Sequence, residues 1–89
     1  MKIGTVIKSQ AGRDKEGWFV VLEADGDFVM IADGKIRPLD RPKRKRKKHL
    51  AATHTVLEAA DYATNRALRK SLMKFGVDVE KEEYGLGKG

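Results

Sequence analysis

The spacing of apolar and polar positions divides the chain near its middle. In the first half the apolar residues come in short runs rich in β-branched and aromatic side chains: Thr5-Val6-Ile7, then 18–24, then 28–32. Runs of this kind, bounded by Gly, Asp and Pro, read as strands. They predict strands at about 3–9, 18–24, 27–32 and 35–38. Asp25-Gly26 and Asp33-Gly34 stand between successive runs. An Asp-Gly pair favours a hairpin, because a type I′ turn needs positive φ at both central residues. Gly26 and Gly34 are therefore read as turn glycines, and Gly12 as the glycine that turns strand 1 back.

After the middle the period changes. From Thr55 to Phe75 a turn of about 100° per residue places Val56, Leu57, Ala60, Ala63, Ala67, Leu68, Leu72 and Phe75 on one broad face. Thr55 and Glu58 have capping-box spacing, and Gly76 suits the position just past a helix. The pattern predicts one C-terminal helix within 53–76 and a disordered tail over 77–89.

Four short strands cannot bury both faces of a sheet, so a fifth is required. The stretch left to supply it is RPKRKRKKHL, residues 41–50. If extended, it puts Arg46, Lys48 and Leu50 on one face and Lys45, Lys47 and His49 on the other. A strand so charged cannot be central. It is expected at an edge, with Leu50 as its apolar anchor and its cations in solvent.

Charge sharpens this picture. The segment 35–49 holds nine Lys and Arg against one acid, Asp40, for a balance of +8; the whole chain carries +6, so the rest sums to −2. A near-neutral domain with one concentrated basic segment carries the electrostatic footprint of a nucleic-acid binder. An anionic membrane is disfavoured, because no lipid-facing amphipathic helix adjoins the run. The chain of 89 residues fits one domain, 1–52, plus an appended helix. Hydrophobic content of 40% argues against global disorder. The absence of cysteine excludes a disulfide framework and a thiolate metal site, and suits a reducing cytoplasm. The opening MKIGTVIKSQ lacks the apolar run of a signal peptide or a membrane span.

The stretch GTVIKSQAGRDKEGWFVVLEADGDFVMIADGK resembles a KOW motif, a β-turn-β unit built around one glycine, here Gly12. With the continuation IRPLDRPKRKRKKHLAAT, residues 3–55 are similar to the short bacterial KOW-domain RNA-binding proteins. These are relatives of the large-subunit ribosomal protein family L-fourteen-e. The resemblance implies an SH3-like five-stranded barrel followed by the helix, and binding to ribosomal RNA of the large subunit. It also implies that the segment before Lys48-His49-Leu50 is the last barrel strand. One departure stands in the first loop, where Glu16 intervenes between Lys15 and Gly17.

The candidate RNA-binding residues are Arg13 and Lys15 in that loop, Trp18, and Lys35, Arg37, Arg41, Lys43, Arg44, Lys45, Arg46, Lys47 and Lys48. Cations neutralise phosphates and release condensed counterions. Trp18, and less so Phe28, can stack on unpaired bases, although an aromatic in a short strand more often packs in the core. Arg66, Arg69, Lys70 and Lys74 either extend the surface or are ordinary solvent-side charges. His49 and His54 do not complete a tetrahedral metal set. Asp25, Asp27 and Asp33 are accounted for largely as turn residues, and GLGKG lacks the strand and the hydroxyl of a phosphate loop. The reading is a cytoplasmic, non-enzymatic RNA binder without metal, cofactor or small-molecule substrate, monomeric off the ribosome. The alternative is a protein-interaction KOW module of the transcription or translation machinery. In that case the helix's apolar face, with Val56, Leu68, Leu72 and Phe75, would be left exposed for a partner.

Overall fold

The computed structural model describes residues 1–10 and 17–88, with side chains to residue 79. Five strands form one antiparallel sheet: β1 (Thr5–Ser9), β2 (Trp18–Asp25), β3 (Phe28–Ala32), β4 (Lys43–Arg46) and β5 (Leu50–Val56). The order across it is β4-β3-β2-β1-β5, so the sheet is open and its edges are β4 and β5. A 3₁₀ turn, Lys47–His49, joins one edge to the other. A second 3₁₀ turn, Ala59–Tyr62, leads into α1 (Asn65–Lys88).

The apolar runs of β1 and β2 are continuous because these strands lie inside the sheet and are covered on both faces. Ile7, Phe19, Val21, Val29, Ile31 and Leu50 form the inner core. The intervening Val6, Val20 and Ala32 face the other way and meet Leu68 and Leu72 of α1. Trp18, Leu39, Leu57, Tyr62 and Phe75 fill in around them. The apolar face of the helix is thus packed on the sheet; Leu68 is fully buried, whereas Val56 is 47% exposed because it belongs to β5.

Four expectations change. First, no strand forms at 35–38. The Asp33 carboxylate accepts the amides of Lys35 and Arg37 at 2.9 and 2.8 Å, and the Asp33 and Gly34 amides return to the Arg37 carbonyl. The segment closes on itself, and its amides are unavailable to a ladder. Second, the first hairpin turns at Gly26 and Asp27, one residue later than expected, with Asp25 paired to Phe28. Third, the helix does not begin at Thr55. The alternation of Leu50–Val56 satisfies β1 instead, with Ile7 opposite Ala52 and Thr53 Oγ1 donating to the Val6 carbonyl. The capping box belongs to Glu58 and Asp61 around the 3₁₀ turn. Thr64 caps α1, its hydroxyl accepting the Ala67 amide at 3.0 Å. Fourth, α1 does not stop at Gly76, and its backbone runs on helical to Lys88. A Cβ at position 76 would lie 3.3 Å from the Trp18 indole nitrogen, so this glycine lets the indole approach the helix rather than ending it.

Gly34 carries the tightest junction between sheet and helix. It has φ +78°, and a Cβ there would lie 2.5 Å from the Asn65 carbonyl oxygen. Arg69 donates to the Gly34 carbonyl at 2.8 Å, and the Leu39 amide donates to the Asn65 side chain at 2.8 Å. Gly26 also has positive φ but open space around it. Gly26→Ala should therefore cost only the left-handed backbone term, roughly 1–2 kcal/mol. Gly34→Ala adds a backbone clash and should cost clearly more in urea unfolding. Equal midpoints for the two variants would show that the helix is not held at this point.

Candidate functional site

The run of six cations at 43–48 is folded. Its first four residues are β4, paired to β3 with Lys43 opposite Ile31, Arg44 opposite Met30, Lys45 opposite Val29 and Arg46 opposite Phe28. All four ladder partners are apolar. Directly paired residues share a face. Lys43 and Lys45 therefore lie on the side of Val29 and Ile31, at the rim of the inner core. Both are half-buried, as expected of stems that lie along apolar surface while the ammonium reaches water. Arg44 and Arg46 lie on the outer side with Met30 and Phe28, and both are exposed.

Phe28 organises that outer side. The Arg44 guanidinium carbon sits 3.7 Å from the ring centroid and that of Arg46 5.2 Å. Cation–π contact of this kind fixes the two guanidinium groups relative to the strand. Repulsion along β4 is affordable. Same-face neighbours in a strand are about 7 Å apart, and two unit charges at that distance repel by about 0.6 kcal/mol in water before salt screening. Strand pairing and stem burial exceed that.

The strict alternation expected through Leu50 breaks at Lys47, where the 3₁₀ turn begins. The Lys47 amide donates to the Asp27 carbonyl at 2.8 Å, and the His49 carbonyl accepts the Gln10 amide at 3.0 Å. The turn is thus tied to the β2–β3 hairpin and to the end of β1. It presents Lys48 and His49 to solvent, with Lys47 half-buried. Leu50 follows, only 7% exposed in the inner core, as the first residue of β5 rather than the end of the basic strand.

The remaining candidates are distributed. Lys35 is exposed on the loop at 33–37, Arg37 is half-buried there, and Arg41 is exposed just before β4. Gly12, Arg13, Lys15 and the Glu16 departure lie outside the described residues. Trp18 sits in the seam between sheet and helix. Its ring meets Phe75 edge-on at 4.9 Å between centroids, and Lys8 Nζ lies 5.3 Å from its centroid. The ring offered by the sequence for base stacking thus has a packing role. His49 and His54 are on the turn and on β5, and no group of three or more His, Cys, Asp or Glu is placed to hold a metal among the described residues. No helix is long and apolar enough to cross a membrane among the described residues. The chain matches no protein-family model and no curated protein.

Leu50 measures whether the basic segment is a structural element. Leu50→Ala should cost roughly 2–5 kcal/mol in urea unfolding, as truncation of a buried leucine does. The Lys47 amide should exchange with deuterium slowly, because its hydrogen bond breaks only when the hairpin opens. A cost within about 0.5 kcal/mol, the usual surface value, together with fast exchange at Lys47, would mean that the run is a tether.

Proposed function

We propose that the protein is a non-enzymatic RNA-binding protein of the cytoplasm that associates with ribosomal RNA, in the large subunit, through β4 and the turn that follows it. The observation that carries this reading is the folding of six consecutive cations, four onto a sheet edge with apolar ladder partners and two into the turn that follows it. A tether of the same charge would lose conformational entropy on every contact with a polyanion. A paired strand has already lost most of it, and its guanidinium groups are set over Phe28. Phosphate contact then gains counterion release at little ordering cost.

The same features support reading the sheet as an SH3-like barrel. Its two edges are joined by one 3₁₀ turn, and a single inner core takes residues from β1, β2, β3 and β5. The resemblance of residues 3–55 to the KOW-domain RNA binders is what points to ribosomal RNA in particular. The protein-interaction alternative asked for an uncovered helix face, and that face packs on Val6, Val20 and Ala32.

The test is RNA affinity as a function of salt. If about six cations each neutralise a phosphate, log K should fall against log salt with a slope near −4 to −5. Replacing Lys43, Arg44, Lys45 and Arg46 by Gln should flatten the slope and weaken binding to all RNA sequences alike. Crosslinking in cells with sequencing of the bound RNA should recover ribosomal RNA. Unchanged affinity and slope in a folded quadruple variant would remove β4 from the mechanism.

A further inference from the structure

A second cationic surface lies apart from β4. The loop at 33–37 and α1 flank an open groove of about 770 Å³, lined among others by Lys35 from the loop and by Arg66, Arg69, Lys70 and Met73 from the helix. The helix residues fall at i, i+3, i+4 and i+7, one stripe beside the buried Leu68 and Leu72. Among the described residues the one carboxylate on the groove wall is Asp33, which accepts the Lys35 and Arg37 amides and leaves the groove with a surplus of positive charge. Lys35, Arg66 and Lys70 are exposed and form no ion pair among the described residues.

This arrangement works against the helix that carries it. Residues 65–77 include Arg66, Arg69, Lys70 and Lys74 and no acid. Arg66 lies in the first turn, where the helix dipole disfavours a cation, and no acidic residue offsets it there. Arg66 and Lys70 are a like-charged i, i+4 pair, which is destabilising by itself. Lys35 adds a further positive charge across the groove. A bound polyanion would offset these repulsions by its attraction to each cation.

The groove opens on the same side of the sheet as Arg44 and Arg46. Ala32 packs with Leu68 and Leu72 on the outer face. Met30 and Phe28, two and four residues earlier on β3, share that face, and Arg44 and Arg46 are their ladder partners. Four residues of strand span about 13 Å, so one extended backbone can reach both sets of cations.

We propose that the groove between loop 33–37 and α1 is a second RNA-backbone site, which takes phosphates of the same strand that β4 holds. This rests on the RNA-binding reading above and extends it from an edge to a face. Arg69 is the positioning member, since it is bonded to the Gly34 carbonyl. Lys35, Arg66 and Lys70 make the phosphate contacts.

The experiment compares wild type, Arg66→Gln/Lys70→Gln, Lys35→Gln and the β4 quadruple variant, using labelled polyuridine and a labelled RNA duplex over a range of salt. Loss of two contacts should make the slope for polyuridine shallower by about 1.4 in the helix double variant, and loss of one by about 0.7 in Lys35→Gln. The double variant should melt no lower than wild type, because the removed charges repel one another. Wild-type affinity and slope in both groove variants, beside weakened binding in the β4 variant, would overturn the groove and leave the β4 site standing. Wild type binding neither RNA would remove the RNA reading itself, and the groove with it.

Discussion

Two leucines of one helix cover the face of the sheet that the strands cannot cover themselves. β1 and β2 are central strands with apolar side chains in both directions. The inner set packs on itself with Leu50. The outer set, Val6, Val20 and Ala32, is covered by Leu68 and Leu72. Full burial of side chains of this size is worth about 1.5–3 kcal/mol each, and the margin of a chain this short is only a few kcal/mol. Placement of α1 is therefore a condition of folding, and the contacts along its first half follow from it. Gly34 allows contact with the Asn65 carbonyl, Gly76 admits the Trp18 indole, and Ser71 donates to the Asp61 carbonyl at 2.9 Å to hold the approach turn against the helix.

The basic strand depends on the same sheet in a different way. It contributes no large apolar residue of its own. Its backbone is satisfied by β3, and its side chains divide by parity between the rim of the inner core and the outer face. Leu50, immediately after the 3₁₀ turn, holds the segment from its far end. Charge is concentrated here without a collapse of order because the exposed Arg44 and Arg46 guanidinium groups repel one another only weakly in water.

Much of this was legible in the residues. Three strands, one hairpin, the edge position of the cations and the burial of Leu50 follow from apolar runs, from Gly26 and from a charge that no central strand could carry, although the strand count behind them included 35–38 and missed β5. The misplacements have one cause each. Lys35, Ile36 and Arg37 look extended until Asp33 captures two of their amides, a local competition that β-propensity does not express. Thr55 and Val56 fit the helical period of the residues after them and the two-residue period of Leu50–Val56 alike; β1's need for a partner decides for a strand. The cap at Thr64 is a weaker pattern than Thr55–Glu58, with Ala67 where a capping box wants an acid. Gly76 reads as a terminator only when the ring packed on it is unknown.

The loop at 33–37, which does not form the expected strand, connects the sheet to the cationic stripe of α1. Asp33 folds it tightly, so Gly34 can meet the start of α1 and Arg69 can clamp it. The same turn sends Lys35 outward, across from Arg66 and Lys70. A strand here would have lain flat in the sheet, left α1 without its contact at Asn65, and spread these cations along an edge. Because the carboxylate is bonded to the backbone, the loop's shape is fixed from within, while its negative charge still offsets part of the field of the nearby cations. The contacts that hold the helix on the sheet are therefore also those that bring the second set of cations onto the face that carries Arg44 and Arg46.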